Sequence, residues 1–314
     1  METYEIILCI LGVIAGIALI LGLIGFIIFN ICSKRRYPYK DMGERIEIPD
    51  DMAEQFPKLS KSIKLRRLQA RDGLKLSAYW YDAEQSHKWC ILIHGWHGNA
   101  GTMIYFMDHM ISRGYNCIAP DMRACGRSEG RYSTLGATDK EDILLWIDEI
   151  LKADKDASIL LYGASMGGLI SLLTGCTNHD RINAIITDSA PCSFKEMICR
   201  IVKGTLRVLP YLFVAIAAFF MKIIAKFNLN DTDAMAVLPS LRKPILLIHG
   251  KEDGMVPCEM MDQMYSVILS YKERLLVEGA DHVKSVGTDT EKYWQTVDGF
   301  LDKVESGMTD RICD

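Results

Sequence analysis

Ser165 has the surroundings of a nucleophile. It stands in Gly163-Ala164-Ser165-Met166-Gly167, after the apolar run Ile159 to Leu161 and before the apolar, small-residue segment Leu169 to Thr174. A buried strand, a tight turn and a helix in that order form a nucleophile elbow. Small neighbours are needed because the backbone there passes close to itself and to the next strand, and the strained turn lifts the hydroxyl above the sheet. The helix that follows presents its N-terminus to the negative charge that develops in acyl transfer. The hydroxyl still needs a base within hydrogen-bond reach. Histidine suits, since it accepts and returns a proton near neutral pH, and a carboxylate on its second ring nitrogen fixes the tautomer and stabilises the imidazolium. Among the seven histidines, His282 in Gly279-Ala280-Asp281-His282 follows a short apolar run. So do two adjacent acids, Glu252 and Asp253, in His249-Gly250-Lys251-Glu252-Asp253.

The elements that must position these residues alternate. Ile63 to Leu68 and Leu74 to Tyr81 flank the turn signal Arg71-Asp72-Gly73 and read as an antiparallel hairpin. Trp89 to Ile93, Asn116 to Ala119, Ala184 to Thr187, Ile245 to Ile248 and Glu273 to Val277 read as short buried strands. Helices are predicted at about Thr102 to Arg113, at Asp139 to Leu151 with Ile143, Trp146, Ile147 and Ile150 on one face, and near Glu291 to Val304. A hairpin followed by alternating strands and helices predicts an α/β fold: a mostly parallel sheet with an antiparallel start and helices on both faces. Ligands of such sheets bind beyond the C-terminal ends of the strands. Ser165, Asp253 and His282 each follow a predicted strand and therefore converge on one edge.

This order of serine, acid and histidine resembles the α/β-hydrolase superfamily over about Ile63 to Val304. The motifs that carry the resemblance are the elbow, His249 to Asp253 with Val256-Pro257, Gly279 to His282, the turn His94-Gly95-Trp96, and the loop Asp121-x-Arg123-x-x-Gly126-x-Ser128. The chain looks like a membrane-anchored, bacterial-type serine hydrolase of the esterase, lipase and peptidase branch. The resemblance implies a mostly parallel eight-stranded sheet with a helical cap insertion. It implies Ser165 as nucleophile, His282 as general base and Asp253 as its orienting acid, with Glu252 as the fallback. The oxyanion hole then consists of the backbone N–H groups of Trp96 and Met166. His97, in the same loop as Trp96, becomes a substrate-binding candidate, and Trp96 walls the acyl pocket. His94 and His249 end strands and serve turn hydrogen bonds. His87, His109 and His179 lie in surface contexts. Asp121 and Asp188 anchor loops beneath the site.

Composition narrows the class. The 314 residues carry a net charge of −4, and no basic block is long enough for nucleic acid. The ten cysteines form no C-x-x-C pair and no metal spacing with histidine, so free thiols in a reduced compartment are expected, with no metal and no organic cofactor. Ile6 to Phe29 is uncharged and, as a helix of about 36 Å, is long enough to cross a bilayer. A cleaved signal peptide would carry basic residues before its apolar core; here Glu2 and Glu5 precede it, and Lys34-Arg35-Arg36 follow. That flank predicts a retained single-pass anchor with the rest of the chain in the cytoplasm. Gly12-x-x-x-Gly16 also fits a helix-pairing face, although glycine is common in spanning helices.

The expected division is an anchor over residues 1–31, a linker over 32–58 with Pro38, Pro49 and Pro57, and a hydrolase domain over 59–306 with a cap insertion at about 193–236. Within the insertion, Val208 to Met221 is uncharged and apolar, and Pro210 starts or breaks a helix there. It reads either as a cap helix packed on the core or as an apolar lid that touches the bilayer and shapes a substrate tunnel. The expected activity is cleavage of a small-molecule or lipid-like carboxylic ester through an acyl-enzyme. A serine peptidase or acyltransferase on the same scaffold, and a non-catalytic binding module, are the alternatives. Oligomeric state is left open.

Overall fold

Eight short runs of apolar residues between turns form the strands of one sheet. The structure, a computed structural model, describes residues 3–36, 59, 62–83 and 86–309. The strands are β1 (Lys64–Gln69), β2 (Lys75–Tyr81), β3 (Lys88–Ile93), β4 (Asn116–Pro120), β5 (Ser158–Ala164), β6 (Ile182–Asp188), β7 (Ile245–Gly250) and β8 (Lys272–Val277). They lie in the order β1-β2-β4-β3-β5-β6-β7-β8. β2 is antiparallel to both β1 and β4, and every other pair is parallel. The near-continuous apolar strands Ile91-Leu92-Ile93 and Ile159-Leu160-Leu161 are buried on both faces, as a parallel sheet between two helical layers requires.

One layer holds α3 (Asp139–Ala153), α4 (Met166–Gly175) and α7 (Glu259–Val267), and packs Trp146, Ile147, Leu169 and Met264 against the sheet. The other holds α2 (Ile104–Ser112) and α9 (Thr290–Glu305), with Met107, Val297 and Phe300. The predicted helix from Thr102 begins as a 3-10 turn, Ala100–Met103, because the side chain of Asn99 accepts from Gly101 N–H and tightens the entry. A four-residue turn, α8 (Ser285–Thr288), precedes α9.

Between β6 and β7 the chain leaves the sheet. Helix α5 (Phe194–Leu206), capped by Ser193, leads to α6 (Pro210–Phe220), which continues as a π turn over Met221–Ala225. Pro210 starts α6, where its missing N–H costs no hydrogen bond. The loop between α5 and α6 exposes Val208 and Leu209, and the first turn of α6 exposes Tyr211.

The N-terminal helix α1 (Thr3–Ser33) is long and apolar enough to cross a membrane. It continues four residues past Phe29, and its last turns are not free. Gly25, Ile28, Phe29 and Cys32 are buried against the rest of the fold. Phe26 and Phe220 meet with ring centroids 5.2 Å apart, and Phe29 meets Tyr132 at the same distance. Gly25 permits the approach, since a Cβ there would overlap Ile216 of α6. The apolar insertion therefore packs on α1. Of the linker predicted over residues 32–58, Cys32 and Ser33 end α1, and residues 37–58, with the prolines, lie outside the described residues.

The docking generates a test. Gly25→Leu should wedge α1 from α6 at a cost of about 2 kcal/mol, lowering the unfolding temperature of the detergent-solubilised protein by about 4 °C. An unchanged temperature in a melting scan contradicts the contact.

Candidate active site

Ser165 joins β5 to α4 with φ 54° and ψ −118°, a strained conformation for a residue with a side chain. Glycines make it possible: a Cβ at Gly163 would overlap the Gly167 carbonyl, and one at Gly167 would overlap the Ile93 carbonyl. The Ser165 N–H donates to the carbonyl of Asp188 at 2.8 Å, tying the turn to the end of β6. The turn leaves Oγ above the C-terminal edge of the sheet.

The loops after β7 and β8 reach the same edge. His282 Nδ1 lies 2.8 Å from Asp253 Oδ2, and His282 Nε2 lies 2.9 Å from Ser165 Oγ. An ionised carboxylate can only accept, so Nδ1 carries the hydrogen and Nε2 is free to accept from the serine hydroxyl. Asp253 Oδ1 accepts the N–H groups of Met255 and Val256, at 2.9 and 2.8 Å. Burial alone would push the Asp253 carboxyl up; hydrogen bonds from His249, His282 and Val256 outweigh it and hold the group well below the usual carboxylate range. Glu252 is exposed, and it is Asp253 that meets His282. Asp281 Oδ1 accepts from Gly254 and His282 N–H, fastening the acid and histidine loops together.

The supporting residues take the places expected of them. His94 Nε2 accepts from Met122 N–H at 3.0 Å, and its Nδ1 donates to the Gly95 carbonyl at 2.7 Å. His249 Nε2 donates to the Val256 carbonyl at 2.8 Å. Asp121 accepts the N–H groups of Ala100 and Arg127. Asp188 accepts from the hydroxyls of Ser189, Ser285 and Tyr293; burial pushes its carboxyl up, against these donors. Met166 opens α4, so its N–H has no partner in the helix. Among the described residues, neither this N–H nor that of Trp96 meets a protein acceptor.

A cavity of about 620 Å³ opens over Ser165 and His282, lined on the domain side by Gly95, Trp96, Met255 and Val283. Its other wall is the end of α1, with Asn30 and Ile31, and the residues just past it, Lys34, Arg35 and Arg36. Trp96 Nε1 donates to the Cys32 carbonyl at 3.0 Å, and His97 Nε2 to the Ile31 carbonyl at 3.3 Å, satisfying carbonyls that the helix end leaves open. Burial lowers the pKa of His97. His97 lines the cavity and also holds the anchor. Arg35 donates to the carbonyls of Gly126 and Ser128, at 2.5 and 2.7 Å. Sequence reasoning places Lys34 to Arg36 only as a membrane flank and misses this wall. The signal available is the apolar stretch that runs on to Cys32.

The chain resembles known proteins along most of its length. A hydrolase family described as serine aminopeptidase, S33, matches residues 84–236. YqkD of Bacillus subtilis is 26% identical over 237 residues, which cover 73% of this chain and 78% of that protein. The membrane protein YNL320W of Saccharomyces cerevisiae is 22% identical over 285 residues, 90% of this chain and 92% of that one. The Pyrococcus furiosus esterase Pf2001 superposes with a TM-score of 0.66 at 23% identity, covering 85% of this chain and 98% of the esterase. Together with the sheet order and the elbow, these likenesses show an α/β-hydrolase fold.

Proposed function

We propose that the protein is a membrane-anchored serine hydrolase that cleaves carboxylic esters through an acyl-enzyme. The observation that carries this reading is the continuous hydrogen-bonded line Ser165–His282–Asp253, with bonds of 2.9 and 2.8 Å. His282 Nε2 takes the hydroxyl proton as Ser165 Oγ attacks the ester carbonyl. Asp253 holds the ring in the tautomer that can accept it and stabilises the imidazolium. The Trp96 and Met166 N–H groups face the tetrahedral oxyanion. The alcohol leaves with the proton from His282, and water, activated by the same ring, releases the acid. Side chains, backbone amides and water carry every step.

Residues 1–31 are the anchor in this reading, 59–306 the hydrolase domain, and about 193–236 its cap. Lys34, Arg35 and Arg36 orient the chain with that domain in the cytoplasm. The relative YNL320W is a membrane protein and the structural neighbour Pf2001 is an esterase, in keeping with this assignment. The family description favours a second reading, an aminopeptidase using the same serine.

Labelling of the full chain with a fluorophosphonate probe tests the nucleophile. Wild type should label and Ser165→Ala should not, with turnover of p-nitrophenyl butyrate falling by about 10⁴-fold or more. Equal labelling contradicts the assignment. Faster turnover of aminoacyl p-nitroanilides than of p-nitrophenyl esters selects the peptidase.

The depressed Asp253 pKa gives a second test. A carboxyl whose folded pKa lies below its unfolded value of about 3.9 contributes stability that is present above that value and lost as pH falls toward the folded pKa. The difference in unfolding free energy between wild type and Asp253→Asn should be level above about pH 5 and should narrow as pH drops below about 4. A difference that stays constant down to pH 2 contradicts the ionised, hydrogen-bonded carboxylate.

A further inference from the structure

Helix α1 is longer than a bilayer requires. Twenty helical residues, 3–22, cover a hydrocarbon core of about 30 Å. Leu21 and Ile24 already pack against the hydrolase core, and Gly25, Ile28, Phe29 and Cys32 are buried in it. The last three turns of α1 therefore stand beside the domain. Their outer face is apolar and uncovered: Ile20, Leu23, Ile27 and Ile31, spaced by three or four residues on one stripe, are between 47% and 61% exposed. The stripe runs about 16 Å, close to half the hydrocarbon core and so to one acyl chain in a leaflet. It ends at Ile31, in the wall of the cavity over Ser165.

One turn beyond Ile31 the cavity wall becomes cationic. Lys34 and Arg36 line it, and neither side chain makes a hydrogen bond or ion pair among the described residues, whereas Arg35 is spent on the carbonyls of Gly126 and Ser128. Among the described residues no aspartate or glutamate lines the cavity. Lys34 sits about 18 Å past residue 22, too far from the hydrocarbon edge to serve headgroups of the surrounding bilayer. An apolar track on α1, the serine beside its end and, just past that end, two cations with no partner among the described residues thus follow one another.

We propose that the preferred substrate is a single-chain acyl ester bearing an anionic phosphate on its alcohol, a lysophosphatidate-like lipid. Its chain lies on the Ile20–Ile31 stripe, its ester carbonyl at Ser165, and its phosphate between Lys34 and Arg36. This rests on the serine-esterase reading. Ser165 Oγ bonds to the acyl carbon as the bond to the glycerol oxygen breaks. That oxygen takes the proton held on His282 Nε2, glycerol phosphate leaves, and water splits the acyl-enzyme to fatty acid and free serine. Lys34 and Arg36 act by charge-assisted hydrogen bonds, and Ile27 and Ile31 by covering the chain.

The test uses the full chain in neutral detergent micelles with two probes of the same acyl group, 1-oleoylglycerol 3-phosphate and 1-oleoylglycerol. Wild type should show kcat/KM at least about tenfold higher for the phosphate ester. In Lys34→Gln/Arg36→Gln that ratio should fall to about one, and Lys34→Arg/Arg36→Lys should keep it. Added glycerol 3-phosphate should inhibit far more weakly than the lipid competes. A wild-type ratio near one, or a ratio that survives the glutamine pair, overturns the proposal. Inhibition by glycerol 3-phosphate as strong as competition by the lipid also overturns it, making the cations a site for soluble phosphate. These outcomes with normal turnover of p-nitrophenyl butyrate overturn this inference alone, whereas a wild type inert toward all three esters overturns the esterase reading and the inference with it.

Discussion

The backbone of Ser165 is held where few residues with a side chain go, and the edge of the sheet is built around that strain. A single residue at φ 54°, ψ −118° costs on the order of 1–3 kcal/mol and persists only where its neighbours leave no alternative. Here β5 is locked between β3 and β6, and Gly167 sits against the Ile93 carbonyl where any side chain would collide. The hydrogen bond from Ser165 N–H to Asp188 then passes the constraint along the edge. Asp188 collects the hydroxyls of Ser189, Ser285 and Tyr293 in a fully buried cluster, and Ser189 Oγ accepts from Val283 N–H at 3.1 Å. Val283 follows His282. The position of the imidazole is thus set from the elbow through Asp188 as well as by the loop that carries it.

The anchor is the second constraint. A spanning helix could end in a linker and leave the hydrolase fold to drift beneath the membrane. Here the last carbonyls of α1 are claimed by the side chains of Trp96 and His97, in the loop whose amides flank the serine. Ser133 N–H donates to the Ser33 carbonyl at 2.6 Å and Arg35 braces the loop from Gly126 to Ser128. The rim of the cavity and the end of α1 are one surface. A displacement of the helix moves Trp96, and with it one side of the pocket.

Much of the fold is legible in the residues. Strand interiors read correctly because a parallel sheet buried on both faces needs continuous apolar runs, as in Ile245 to Ile248. Strand ends do not, because ladder pairing carries β5 into Gly163-Ala164 and β7 into His249-Gly250 regardless of side chain. The order of Ser165, Asp253 and His282 on one edge is legible, since each follows a strand. Helices α5 and α7 escape the reading although the buried Phe194, Met197, Ile198 and Val202 of α5 and Met260 and Met264 of α7 follow helical spacing. The docking of α1 escapes it for a different reason. Residues that face lipid and residues that face α6 are drawn from the same apolar set, so Ile28 and Phe29, buried, cannot be told from Ile27, exposed. Lys34, Arg35 and Arg36 look alike in sequence, but only tertiary structure separates the arginine that braces a loop from the two cations that face the cavity.

The central claim is that the serine, the two amides and the membrane helix form one site. An experimental structure of the full chain carrying a long-chain alkyl phosphonate tests it most directly. The account predicts phosphorus bonded to Ser165 Oγ, its oxygen facing the N–H groups of Trp96 and Met166, and the alkyl chain lying against Ile31 and Ile27. An adduct whose chain turns away from α1, or a helix end parted from Trp96, would contradict it.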